Sequence, residues 1–309
     1  TTSSIEGLGI KELVVGENSF DIKVTAEDKT TTKTYNVIVT REKDTNNNLK
    51  SLSLTSCTLS PAFSSSTTSY TCTVENSVTS TTISAISESG VATLTGTGAK
   101  SLTVGSNTFN ISVTSQSGSI KTYKVVVTRK ASSDATLKNL TVSSGTLSPD
   151  FNASTTTYTV TVPYSVSSIT VGATVNNSEA SVTGTENKTL SVGENKINVV
   201  VTAGDKTTKT YTITVTREKD TDNTLKSLKL TSCTLSPSFS SSTTSYTCTV
   251  ANSVTSTTVT AGANSSVATL TGTGVTNLSV GTNTIKVNVT AQNGSVKTYT
   301  VVVTRKPNS

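Results

Sequence analysis

The tripeptide Val-Thr-Arg ends at Arg41, Arg129, Arg217 and Arg305, each 88 residues after the last, and the chain has no other arginine. A fixed period of this size fixes the architecture before any local reading, because each period must be one repeated structural unit. Other residues keep the same spacing. Tyr35, Tyr123, Tyr211 and Tyr299 sit in Lys-Thr-Tyr, and Tyr70, Tyr158 and Tyr246 sit in Ser-Tyr-Thr or Thr-Tyr-Thr. Leu-Ser-Pro recurs at Pro61, Pro149 and Pro237, followed two residues on by Phe63, Phe151 and Phe239. Gly-x-Asn recurs from Gly16, Gly105, Gly193 and Gly281, at the same spacing except for 89 residues between the first two.

The repeats are of two kinds. Residues 44–131 and 220–309 are near copies, and both carry two cysteines; residues 132–219 carry none. Residues 1–43 match the second half of 132–219, sharing Val-Gly-Glu-Asn and the Arg-Glu-Lys-Asp-Thr that follows. The expected organisation is therefore 1–43 as the latter half of a Cys-free module, 44–131 Cys-bearing, 132–219 Cys-free and 220–309 Cys-bearing. On this reading the two-module unit is 176 residues long.

Ser and Thr make up more than a third of the chain, a bias that in isolation suggests disorder. Here Thr alternates with Val, Ile and Leu in period two, as in half-buried strands, and β-branched Thr suits a pleated surface. In the first full repeat the pattern predicts seven strands, near 49–54, 70–74, 81–86, 92–95, 101–104, 107–114 and 120–128. The last two form a hairpin around Gln-Ser-Gly-Ser. Parity places Tyr158, Val160 and Val162 on one face, and likewise Tyr211, Ile213 and Val215. Seven strands in this length fit two packed sheets. The fold class is all-β, a tandem array of antiparallel sandwiches. About four strands are expected in 1–43, with an apolar face and open edges if nothing covers them.

Leu-x-x-Leu, Gly-Thr-Leu-Ser-Pro-Asp-Phe (145–151), Tyr158-Thr-Val, Val-Gly-Glu-Asn (192–195) and Lys209-Thr-Tyr-Thr-Ile-Thr-Val-Thr-Arg217 resemble the cadherin-like β-sandwich module. That module is found in tandem in bacterial surface proteins. The resemblance covers essentially the whole chain. It implies an immunoglobulin-like sandwich on an exported, often multidomain protein, and it supplies no catalytic residues.

Cys57 and Cys72 lie fifteen residues apart, as do Cys233 and Cys248. The matching residues of the middle repeat are Gly145 and Val160, so both cysteines are absent together, as a bonded pair would be. We expect disulfides Cys57–Cys72 and Cys233–Cys248. A loop of this size contributes roughly 3 kcal/mol when cross-linked, in the chain-entropy account. The competing readings are unpaired thiols, with Cys72 and Cys248 as small core groups, or zinc shared between two distant pairs.

The remaining motifs carry less. The chain lacks His, Met and Trp, which removes the commonest general base, the commonest transition-metal ligand and the best stacking platform. No catalytic residue, cofactor or metal is expected. Net charge is +6 with the lysines scattered singly, so no nucleic-acid stripe is present. No apolar run is long enough to span a membrane, and residues 1–10 do not read as a signal peptide. The acids Glu42, Asp44, Asp134, Glu218, Asp220 and Asp222 cluster at the module junctions, with Lys43 and Lys219 among them. A solvated linker is the expectation there, with calcium the alternative. Lys50, Lys138 and Lys226 repeat, and they read as solvent-facing rather than as halves of internal Lys–Asn bonds. Tyr164 lies outside the repeat pattern, its counterparts being Asn76 and Asn252. The other seven tyrosines read as core. Asn139, Asn152 and Asn187 open Asn-x-Ser/Thr triplets of the kind chance supplies in so Ser/Thr-rich a chain.

The functional expectation is a non-catalytic structural protein of an extracellular bacterial surface assembly, a filament, stalk or adhesin rod. In line, its modules would reach on the order of 100 Å. Its expected partners are further copies of such modules, or a cell-wall or host-surface glycan. The runner-up is a spacer or carbohydrate-binding array of a larger surface protein. Residues 1–43 are expected to be part of a longer array or, alternatively, to be completed by strands from a neighbouring chain.

Overall fold

A computed structural model describes residues 2–308, and among them every regular element is a β-strand. The chain forms two compact units, one ending at Ser132 and the other beginning at Ser133.

The middle module shows the plan. Its strands are Leu137–Val142, Thr157–Val162, Ser168–Val175, Ser181–Thr183, Asn187–Thr189, Gly193–Thr202 and Thr208–Arg217. The first, third and fifth form one sheet, and the second, seventh, sixth and fourth, in that order, form the other. The last two pair as a ten-residue antiparallel hairpin, from Gly193–Arg217 to Thr202–Thr208. The second and seventh strands pair in parallel, Tyr158 with Ile213 and Val160 with Val215. That parallel pair is not encoded by alternation, which fixes a strand's faces but not its neighbour's direction. The same two-sheet plan recurs from Leu49 to Arg129 and from Leu225 to Arg305.

Each complete module has one core between its sheets. Tyr158, Val160, Val162, Tyr211, Ile213 and Val215 are all buried, as their parity requires. The cores are small, so each module relies on side-chain hydrogen bonds as well as burial.

Three expectations change. The fifth strand of the first full repeat runs Gly98–Ser101, not 101–104. The reason lies in Asn107, whose side chain accepts the N–H of Thr103 and donates to its carbonyl, folding 103–106 into a tight turn. Residues 2–41 hold three strands, Ser4–Glu6, Gly16–Thr25 and Thr32–Arg41, rather than about four. The stretch matching Gly98–Ser101 is residues 9–12, and it has no third strand to pair with, so it stays irregular. Tyr35, read as core from its repeated position, is 51% exposed, whereas its counterparts Tyr123, Tyr211 and Tyr299 are 0% exposed. Position on the strand is the same; the opposing sheet that buries the other three is missing from 2–41.

Candidate functional site

The disulfide corner is the most chemically distinctive feature. In residues 44–131 the first strand, Leu49–Leu54, runs into a Thr-Ser-Cys turn that brings Cys57 against Cys72 on the second strand, Ser69–Val74. The sulfurs are joined at 2.12 Å with Cα atoms 5.9 Å apart, and Cys233–Cys248 repeats the geometry at 2.14 and 6.0 Å. Cys72 and Cys248 point into the core, each under 10% exposed, as parity with Tyr70 and Tyr246 predicts. Beside each bond Phe63 stacks on Tyr70 and Phe239 on Tyr246, with ring centroids 6.1 and 6.2 Å apart. An open groove lined by Leu54, Cys57, Leu59 and Phe63 runs along this corner, and Leu230, Cys233, Leu235 and Phe239 line its equal.

The middle module fills the corner without sulfur. Gly145 has φ +75, a backbone state that side chains with a Cβ rarely adopt. A Cβ there would lie 2.5 Å from Val160 Cγ1 and 2.9 Å from the Thr161 carbonyl oxygen. The Val160 side chain thus occupies the space that the cross-link takes in the other modules. Gly and Val form one solution and Cys and Cys the other, which explains why the two positions change together.

Three further side chains close every complete module, and the sequence showed their recurrence without their task. Asn195 donates from Nδ2 to the carbonyls of Ser191, Gly193 and Val215, and accepts the Ser191 N–H. Asn107 and Asn283 make the corresponding bonds, and Asn18 does so in 2–41. Arg217 donates to the carbonyls of Tyr164 and Leu190, tying the end of the last strand to two loops. Arg129 and Arg305 do the same to Asn76 and Leu102, and to Asn252 and Leu278. The buried Tyr123 hydroxyl accepts the Leu49 N–H and donates to the Ser65 carbonyl; Tyr211 and Tyr299 repeat this at Leu137 and Ala153, and at Leu225 and Ser241. These are otherwise orphaned backbone groups, and leaving one unpaired costs about 1–3 kcal/mol.

With the fold and its closures described, the relationships of the chain follow. A model of the cadherin-like β-sandwich domain matches residues 9–42, 49–130, 137–218 and 225–306. The chain belongs to the cadherin-like β-sandwich family. No curated protein sequence matches it. Among solved structures it is similar to the protocadherin GammaB4 extracellular domain, at 10% identity, over 94% of this chain and 55% of that one, with a TM-score of 0.30. It thus spans about half the length of that ectodomain. It is also similar to protocadherin Gamma B7 extracellular cadherin domains 1–4 (10% identity, 98% and 91% covered, TM-score 0.29). A third is mouse cadherin-23 EC22-24 (12% identity, 81% and 98% covered, TM-score 0.27).

The acids at the module junctions hydrogen-bond the residues that follow them and fold those residues into turns. Asp44 Oδ1 accepts the Asn46 N–H, and Asn46 Oδ1 in turn accepts the Asn48 N–H. Asp220 and Asp222 build the same two-step ladder to Thr224, while Asp134 makes a single step to Thr136. The remaining carboxylate oxygens take Ser89, Asn176, Ser265 and Asn264. These donors hold three carboxyls below the ordinary value: the Ser89 hydroxyl for Asp44, the Thr136 hydroxyl for Asp134 and the Thr224 hydroxyl for Asp222. Among the described residues no three His, Cys, Asp or Glu side chains come together in one cluster. Glu42 and Glu218 stay exposed, as do Lys43 and Lys219.

Tyr164 has one ring face covered by the Arg217 guanidinium, 4.6 Å from the ring centroid. Lys50, Lys138 and Lys226 are exposed on the first strand of each module, and Asn139, Asn152 and Asn187 are exposed as well. Among the described residues no helix is long and apolar enough to cross a membrane.

Proposed function

We propose that the chain is a non-catalytic structural and adhesive array of a bacterial cell surface, working outside the cell by transmitting tension. Its modules on this reading are 1–43, 44–131, 132–219 and 220–309, its partners are further copies of such modules, and its disulfides are permanent structural bonds.

One observation supports the reading: in a Cys-bearing module the disulfide and a parallel strand pair lie in series between the first strand and the last. Tension entering along Leu49–Leu54 passes through the Cys57–Cys72 bond to Ser69–Val74, bypassing the polar loop between them. That second strand lies parallel to the last one, Ile120–Arg129, paired from Ser69–Lys124 to Val74–Arg129. Pulling the last strand from its C-terminal end loads these six residue pairs together, in shear, rather than one after another. Arg129 anchors the same end through the Asn76 and Leu102 carbonyls.

Stretching single molecules by their two ends tests this. Each module should break at a discrete force. The Cys-bearing modules should release roughly 50 Å less chain than the middle one, because the bond keeps the fifteen-residue separation closed. Reductant should abolish the difference. Smooth extension without force peaks, or release lengths indifferent to reductant, would sink the proposal.

A further inference from the structure

Each disulfide joins two sulfurs that sit in different surroundings. Cys72 and Cys248 belong to the buried cores, at 7% and 8% exposed. Cys57 and Cys233 pack against those cores from outside, half-buried, and they line the open groove that each corner carries. Neither Cys72 nor Cys248 lines it. The groove measures about 290 Å³ at Cys57 and about 350 Å³ at Cys233, room for the reacting end of a small molecule. Its walls are apolar, from Leu54, Leu59 and Phe63 in one module and Leu230, Leu235 and Phe239 in the other.

This asymmetry does not depend on the bond. In the middle module Gly145 and Val160 stand at the two positions with no cross-link, and the sandwich still closes, with Val160 2% exposed. A Cys-bearing module with its bond open therefore keeps Cys72 in the core, where Val160 sits, and Cys57 in the outer turn. The two thiols then differ in reactivity. The thiolate is the reacting form, and a thiol in apolar surroundings resists ionisation. A nucleophile must also reach the sulfur it attacks, and the groove gives that access to Cys57 and Cys233.

We propose that Cys57 and Cys233 are the exchange sulfurs of this chain, the positions where a low-molecular-weight disulfide of the glutathione class enters and where the matching thiol attacks. In the oxidising direction the Cys57 thiolate attacks one sulfur of the small disulfide, R–S–S–R. A Cys57–SR bond forms, the S–S bond of the small disulfide breaks, and one RS⁻ leaves. Cys72 gives its proton to solvent and attacks Cys57 Sγ. The Cys57–Cys72 bond forms and the second RS⁻ leaves. Two electrons pass from the cysteine pair to the small disulfide, which ends as two thiols. Reduction retraces this path: a small thiolate attacks Cys57 Sγ and Cys72 leaves, because attack on Cys72 would place the nucleophile inside the core. Cys233 and Cys248 repeat these roles. The assignment concerns how the bond is made and opened, and it stands whether or not the array bears tension.

The test uses the 309-residue chain unchanged, reduced and then freed of reductant in native buffer. A brief pulse of iodoacetamide, read by peptide mapping, should label Cys57 and Cys233 about tenfold or more faster than Cys72 and Cys248, and guanidinium should erase the difference. A second measurement traps the intermediate with oxidised glutathione. A chain carrying Cys72→Ala and Cys248→Ala should hold one glutathione on each of Cys57 and Cys233. A chain carrying Cys57→Ala and Cys233→Ala should stay unmodified over the same time. Where alanine at a core position loosens a module, the pulse on the unchanged chain decides. Equal labelling within each pair in native buffer, or faster labelling of Cys72 and Cys248, overturns the proposal. Such a failure leaves the tension-bearing reading intact, because a bond made by another route carries load equally well.

Discussion

Residues 44–131 and 132–219 have the same seven strands, the same parallel pair and the same Asn, Arg and Tyr closures, yet they differ at one corner. One joins Cys57 to Cys72; the other sets Gly145 against Val160. The difference shows how local the choice between covalent and packed closure is. Sulfur limits the freedom of the unfolded chain, while Gly and Val fill the folded one. The Asn, Arg and Tyr closures are the same whichever is used.

The largest way to break the comparison is Gly145→Ala. The new Cβ meets Val160 Cγ1 at 2.5 Å and a backbone oxygen at 2.9 Å, at a φ that disfavours any Cβ. Strain and overpacking together should cost about 2–5 kcal/mol. Denaturant unfolding of the 309-residue chain should show the module 132–219 melting earlier and the other two unmoved. If Gly145→Ala is neutral, the corner is not packed as described.

Reduction is next. Opening Cys57–Cys72 and Cys233–Cys248 should lower the stability of both Cys-bearing modules by about 3 kcal/mol and leave the middle one unchanged. Calorimetry with and without reductant reads this directly. An equal shift in all three modules would mean that the cysteines are not what separates the two types.

Acid gives the smallest effect and sharpens the comparison from the other side. Asp44, Asp134 and Asp222 all titrate below their ordinary value, held there by hydroxyl and backbone N–H donors. Carboxyls with a lowered folded pKa stabilise above their unfolded value near 4, and that contribution is lost as pH falls through the lower folded value. Both module types carry such an acid, so thermal unfolding followed from pH 6 to about pH 2 should weaken them alike. A Cys-free module that is insensitive to acid would show that Asp134 does not do the work of Asp222.

Much of this was legible in the sequence, and the reasons are specific. Tyr158-Thr-Val-Thr-Val declares its buried face because strand side chains alternate strictly. The paired loss of Cys57 and Cys72 at Gly145 and Val160 declares a joint role. Arg217 and Asn195 were visible as repeated letters, but their function is to satisfy carbonyls 27 and 20 residues away, and no local pattern encodes that distance. The Asp44-x-Asn46-x-Asn48 ladder does have a local signature, side-chain oxygens two residues before the N–H they accept, and it could have been found. Tyr35 misled because burial belongs to the partner sheet and not to the residue's own strand.

Every Asn, Arg and Tyr closure described above begins and ends inside a single repeat. A repeat can therefore be duplicated or deleted whole without orphaning any of these bonds in the copies that remain. Residues 44–131 and 220–309 are also near copies of each other, and near-identical stretches are where genes misalign during recombination. The repeat is thus a self-contained unit of closure, and adding or removing one changes how many modules there are without changing how any of them is held shut.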